Sequence, residues 1–115
     1  MGRWGEEQAA LFLKNKGYEL LGVGFSTRFG EIDIIAQKDG YVAFVEVKLR
    51  KNDRYGAARE FVTQNKQEKL RLTAQVFLQE NEDLRLQPRF DVIEIYAPHG
   101  ISDFYHLHHI ENAFE

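Results

Sequence analysis

The sequence predicts an α/β fold in which a mixed central sheet is flanked by helices. Three observations carry this: a helical period at the start of the chain, a hairpin with β-branched and aromatic arms in the middle, and a second helical stretch followed by one or two more strands. The order helix, three strands, helix, strand suits a mixed sheet better than an all-parallel doubly wound one. The 115 residues are sized for a single domain over 1–115, with a core that needs no covalent staples.

Each element has a local reason. Residues 3–16 place Ala9, Ala10 and Leu13 at helical spacing, and Gly17 is a natural stop. A strand is expected over Glu19–Phe25. The hairpin pairs Gly30–Ala36 with Tyr41–Lys48 around Asp39-Gly40, a strong two-residue turn signal. A helical turn is expected at Ala57–Phe61 within a basic, irregular stretch. Thr63 is a suitable N-cap for a helix running to about Gln79, with Leu70, Ala74, Phe77 and Leu78 as its inner stripe. Phe90–Tyr96 reads as a strand and Phe104–Leu107 as a short edge strand.

Composition narrows the function. An apolar fraction of 43% is that of a globular chain, so wholesale disorder is not expected. The absence of cysteine excludes disulfides, thiol catalysis and cysteine-ligated zinc. No apolar run approaches spanning length and the start of the chain lacks a signal-peptide core, so the expectation is a cytoplasmic protein with no membrane partner. The net charge of −3 argues mildly against a purely charge-driven nucleic-acid binder. The charge is nevertheless polarised. Residues 46–71 hold eight bases against four acids, a net of +4 that leaves −7 elsewhere. That segment is either a phosphate-facing surface or a solvated loop and helix face.

The hairpin can be registered from its turn. With Asp39-Gly40 as a two-residue tip, Lys38 faces Tyr41, Asp33 faces Glu46, and Glu31 faces Lys48. Glu31, Asp33, Glu46 and Lys48 then share one face, while Ile32, Ile34, Val45 and Val47 form the apolar other face. Two carboxylates directly across a ladder repel each other, and a bound cation is one remedy. Oxygen ligands without cysteine or a well-placed histidine favour Mg²⁺ or Mn²⁺ over zinc. Such an ion accepts phosphate oxygens, and Lys48 beside it can orient water or neutralise developing charge. The competing reading makes Glu46–Lys48 and Glu31–Lys48 ordinary surface ion pairs.

GEIDIIA at 30–36, followed by FVEVKLR at 44–50, resembles the YraN-like family of small bacterial endonucleases, within the PD-(D/E)XK, restriction-endonuclease-like and Holliday-junction-resolvase-like superfamily. WGEEQAALFLKNKGYELL at 4–21, YGAAREFVTQNKQEKL at 55–70 and RFDVIEIY at 89–96 extend the resemblance over nearly the whole chain. It implies a restriction-endonuclease-like α-β-β-β-α-β core and a metal-dependent nuclease acting on DNA, in branched or single-stranded form. It further implies Asp33 and Glu46 as metal carboxylates, the Val47 carbonyl as a further ligand, Lys48 as the catalytic lysine and Glu6 as an auxiliary acid. The residues alone leave Glu6 equally readable as a first-turn acid favoured by the helix dipole. The family pattern commonly has an Asn and a basic residue where this chain has Gly24 and Ser26, and only Arg28 is kept.

Other residues keep two readings. Arg28, Arg50 and Lys51 are backbone clamps for a nucleic acid or solvated charges. Lys66 reaches a phosphate or snorkels at the edge of a helix stripe. Trp4 and Tyr55 stack on bases or pack at the rim. His106, His108 and His109 read as surface or packing histidines rather than metal ligands, and Asp91 as a structural acid bonded to Arg89 or a turn. Two further function classes stay open: a nucleic-acid-binding module without turnover, and a protein-interaction domain on the same scaffold. A homodimer is open too, with no residue marking its surface.

Overall fold

The computed structural model describes residues 2–50, 62–97 and 105–115. The chain runs through α1 (Gly2–Asn15), β1 (Glu19–Thr27), β2 (Gly30–Lys38), β3 (Tyr41–Arg50), α2 (Gln64–Glu80), β4 (Gln87–Tyr96) and β5 (His106–Phe114). The five strands form one sheet in the order β1-β2-β3-β4-β5. Only β3 and β4 pair in parallel, joined by the crossover that contains α2; the other neighbours are antiparallel. The α-β-β-β-α-β order and mixed sheet expected from the sequence are therefore observed. No described helix is long and apolar enough to cross a membrane.

Local chemistry sets these boundaries. Gly17 adopts φ +101, where a side chain would be strained, and the Tyr18 N–H closes the last turn of α1 on the Leu13 carbonyl. Asp39 and Gly40 both have positive φ, as the two-residue hairpin turn requires. The Thr63 hydroxyl accepts the Lys66 N–H and caps α2.

One helix covers each face of the sheet. On the α1 side, Ala9 and Leu13 pack with Tyr18, Ile34, Ala36, Ala43, Val45, Ile93 and Ile95. On the α2 side, Leu70, Ala74 and Phe77 pack with Ile32, Ile35, Val42, Phe44 and Val92. Leu78 is only partly buried, and Thr73 takes a fully buried place on the α2 stripe.

Three sequence expectations need correction. First, the β2–β3 ladder has the expected register from Lys38↔Tyr41 to Ile34↔Val45 but ends there, so Asp33 and Glu46 do not form a paired rung, nor do Glu31 and Lys48. Second, Ile32 does not share a face with Ile34, Val45 and Val47. It lies on the α2 side with Ile35, and its β1 partner Phe25 packs there too. Ile34 and its partner Val23 lie on the α1 side. The inside–outside alternation thus slips in both strands at the same level, between these two pairs, where Gly24 sits at φ +69 and Asp33 lies across from it. Third, β5 is a long strand that continues to Phe114. Its pairing with β4 shifts between Phe90 and Val92, and Asn112 has φ +52, which broke the alternation in the sequence. The Ala57–Phe61 turn, Lys51, Tyr55 and Phe104 lie outside the described residues.

Candidate metal centre

The end of the β2–β3 ladder makes the site. Beyond the last paired rung, the Val47 N–H donates to Asp33 Oδ2 at 2.8 Å, so a carboxylate takes up a backbone donor where the two strands part. Glu31 precedes Asp33 by two residues on β2 and is held by the Ser26 hydroxyl at 3.0 Å. Glu6 comes down from α1. Carboxylate oxygens of Glu6, Glu31 and Asp33 lie within 4.8 Å of one another, the one such group of acids and histidines among the described residues. Glu6 lies past the first turn of α1, which carries no acid, so the dipole reading of Glu6 does not hold. A groove of about 570 Å³ between α1 and β1, lined by Arg3, Glu6, Lys14, Val23 and Gly24, opens beside the cluster.

Two lysines occupy the α2 side of the same place. Lys66, in the first turn of α2, donates to Glu46 Oε1 at 2.7 Å, and Lys48 Nζ lies 3.8 Å from the same oxygen. Glu46 is buried, so Lys66 matches a charge that would otherwise be costly. Lys66 is therefore tied to Glu46 by a direct ion pair. Glu46 is engaged with these lysines and does not belong to the three-acid cluster. Val47 enters the site through its N–H on Asp33.

The electrostatics follow from this crowding. Burial, then the Glu46 charge, pushes the Asp33 carboxyl from 3.8 up to about 6, although the Val47 N–H opposes the rise. Burial and then the neighbouring Lys66 lower the Lys48 pKa. Burial works against the Lys66 ammonium as well, but the hydrogen bond and charge of Glu46 outweigh it and its pKa is raised. Three converging carboxylates, one of them costly to ionise, fit a hard cation: the donor set is all oxygen, and a positive ion removes the penalty on Asp33.

The remaining expected residues are placed as follows. Arg28 is exposed in the β1–β2 turn, with its guanidinium 4.8 Å from the Phe29 ring centroid. Arg50 is mostly buried and paired with Glu94. Trp4 packs edge-on against Tyr105 at 5.3 Å, which is the rim-packing reading. His109 is buried, and its Nε2 lies 2.8 Å from Asp91 Oδ2. Asp91 also binds the Arg89 guanidinium through both oxygens and accepts the Asn112 N–H. Asp91 is structural, as expected, but its partnership with His109 was missed. Spacing alone puts Glu31 in the acidic patch, but its place beside Glu6 depends on the slip at Asp33, which period-two alternation does not show.

The family model described as the uncharacterised protein family UPF0102 matches residues 5–95. The chain belongs to the UPF0102 family. A UPF0102 protein of Syntrophomonas wolfei is 40% identical over 114 residues, covering 99% of this chain and 96% of that protein. One of Clostridium acetobutylicum is 41% identical over 114 residues, with 99% and 93% covered. One of Vibrio parahaemolyticus is 44% identical over 97 residues, with 84% and 80% covered. The UPF0102 match spans α1 through β4, and so contains Glu6, Glu31, Asp33, Glu46, Lys48 and Lys66.

Proposed function

We propose that this UPF0102 protein is a metal-dependent endonuclease that hydrolyses phosphodiester bonds in DNA, with Mg²⁺ or Mn²⁺ at the carboxylate cluster. The observation that carries the proposal is the convergence of Glu6, Glu31 and Asp33 within 4.8 Å of one another, together with the Glu46 charge on Asp33. The α-β-β-β-α-β order supports it, with the acid on β2 and Glu46-Val47-Lys48 on β3, as the resemblance to PD-(D/E)XK enzymes implies. Asp33 and Glu6 would hold the ion, with Glu31 beside them and the Val47 carbonyl as a further oxygen. When bound, the ion supplies positive charge to a phosphoryl oxygen and makes a bound water more acidic.

The lysines divide the remaining work. Lys66, kept protonated by Glu46, donates to a phosphate oxygen and offsets charge that develops in the transition state. Lys48, with its lowered pKa, is the more readily deprotonated of the two and orients or accepts a proton from the attacking water. Arg28, exposed in the β1–β2 turn, would contact the strand's backbone. Such a protein works in the cytoplasm, where its substrate lies.

Incubation with linear, branched and single-stranded DNA in Mg²⁺ or Mn²⁺ tests this directly. Cleavage should vanish in Asp33→Ala and Lys48→Ala; cleavage that survives both variants refutes the assignment. A second reading, nucleic-acid binding without turnover, is favoured by one observation: Glu46 is bonded to Lys66. It predicts salt-sensitive binding, no cleavage in either metal, and affinity indifferent to Glu46→Gln.

A further inference from the structure

The face of β3 that presents Glu46 and Lys48 continues across β4 and β5. Lys48 pairs with Glu94, and Glu94 with His108; Arg50 pairs with Tyr96, and Tyr96 with His106. Paired residues share a face. These six side chains therefore lie on the α2 side, beyond the rungs of Phe44 and Val92 that pack beneath α2. The Tyr96 and His106 rings are stacked, with centroids 6.1 Å apart and planes inclined by 20°. His106 and His108 are exposed, and Tyr96 is half-buried. A core needs no exposed imidazole stacked at the end of an edge strand, and the nuclease reading makes no use of it.

We infer that Tyr96 and His106 form a stacking platform for an unpaired base of the nucleic-acid strand whose phosphate sits at Lys48 and Lys66. The inference rests on the proposed nuclease reading and gives it a substrate class: a strand with at least one unstacked base beside the reacting phosphate. Spacing supports it. Tyr96 lies one strand across and two residues along from Lys48, about 8 Å away, and His106 about 12 Å away, from standard strand dimensions. An extended single strand covers that distance in one or two nucleotides. A ring face accepts any base once the base leaves its duplex partner, so the platform selects for unpaired structure and not for sequence. Charge is complementary: Lys48 and Lys66 meet the backbone, while Arg50 is neutralised by Glu94 on the same face.

The test measures the anisotropy of a short fluorescein-labelled thymidine oligonucleotide in Ca²⁺ and in Mg²⁺, beside an abasic oligonucleotide of the same length and a duplex. His106→Ala, at an exposed position that should not impair folding, is expected to weaken thymidine binding about tenfold while abasic binding stays unchanged. His106→Phe is expected to restore affinity, since a ring and not a charge is required. Tyr96→Leu is expected to behave like His106→Ala, with thermal melting confirming its fold. An unlabelled RNA of the same sequence as competitor reports whether ribose matters, and equal competition agrees with stacking alone. Unchanged thymidine affinity in His106→Ala, or equal losses for thymidine and abasic strands, overturns the platform while leaving the nuclease reading intact. A wild-type protein that neither binds nor cuts any of these strands overturns the nuclease reading itself.

Discussion

Asp33→Asn isolates the cost of the site's central carboxylate. Asparagine keeps an oxygen for the Val47 N–H and removes the charge. The folded-state pKa of Asp33 is raised, from 3.8 to about 6, so between these values the folded chain holds a proton that the unfolded chain has released. Stability attributable to Asp33 must therefore fall as pH rises through this window, the opposite of a salt-bridged carboxylate, and stay low above it. The displacement corresponds to about 3 kcal/mol at full strength. Asp33 is only half-buried, so solvent screening reduces the expected effect to about 1–2 kcal/mol. Urea denaturation in chelator, at about pH 4 and about pH 7, should show the asparagine variant equal to wild type at the lower pH and more stable by that amount at the higher. Adding Mn²⁺ at the higher pH should raise the wild-type midpoint and leave the variant's unchanged, because the ion binds the folded state through the ionised group. A wild-type advantage at neutral pH in chelator, or an equal metal response in both proteins, refutes this account of the site.

Three further outcomes test the scaffold. Asp91→Asn should cost about 3 kcal/mol in urea denaturation, because it leaves the mostly buried Arg89 with only the exposed Glu111 at 3.7 Å and disturbs His109; a loss below about 1 kcal/mol contradicts the network. Thr63→Ala should cost about 1 kcal/mol by the same measurement, with the N-cap acceptor for Lys66 lost, and should also loosen Lys66 from Glu46, read as reduced cleavage. Gly24→Ala should cost about 1–2 kcal/mol although its new methyl meets no atom within 4 Å, since the cost is that of the left-handed backbone alone. Gly24→Asn should lose less, and equal stability of the alanine variant and wild type removes the argument for a strained level at Asp33.

The legible parts of the chain are those where one short-range rule acts without competition. Asp39-Gly40 set the hairpin register over every rung that exists, Thr63 announced α2, and Ala9 and Leu13 marked the buried side of α1. The illegible parts are those where a tertiary partner overrides the local period. In β5 the run HLHHIENAF hides its strand because Asn112 bends to give its N–H to a buried acid twenty-one positions earlier. The pairing of Asp91 with His109 had no local trace, since neither residue's neighbours reveal which strand will lie beside it.

The site shows the same conflict at closer range. Had β2 kept its alternation, Asp33 would lie on the α2 face beside Glu46, and a carboxylate from α1 would be on the wrong side of the sheet to join it. The slip at Gly24 and Asp33 turns the outer part of β2, so that Glu31 meets Glu6 while Ile32 turns into the α2 core. Asp33 sits where the ladder parts, within reach of acids from one face and charges from the other. A regular ladder would pair Asp33 with Glu46 and Glu31 with Lys48; the structure ends that ladder at Ile34 and Val45 and brings Asp33 to Glu6 and Glu31. The irregularity is therefore the physical cause of the site: it lets α1 and α2, which pack on opposite faces, both contribute to one carboxylate.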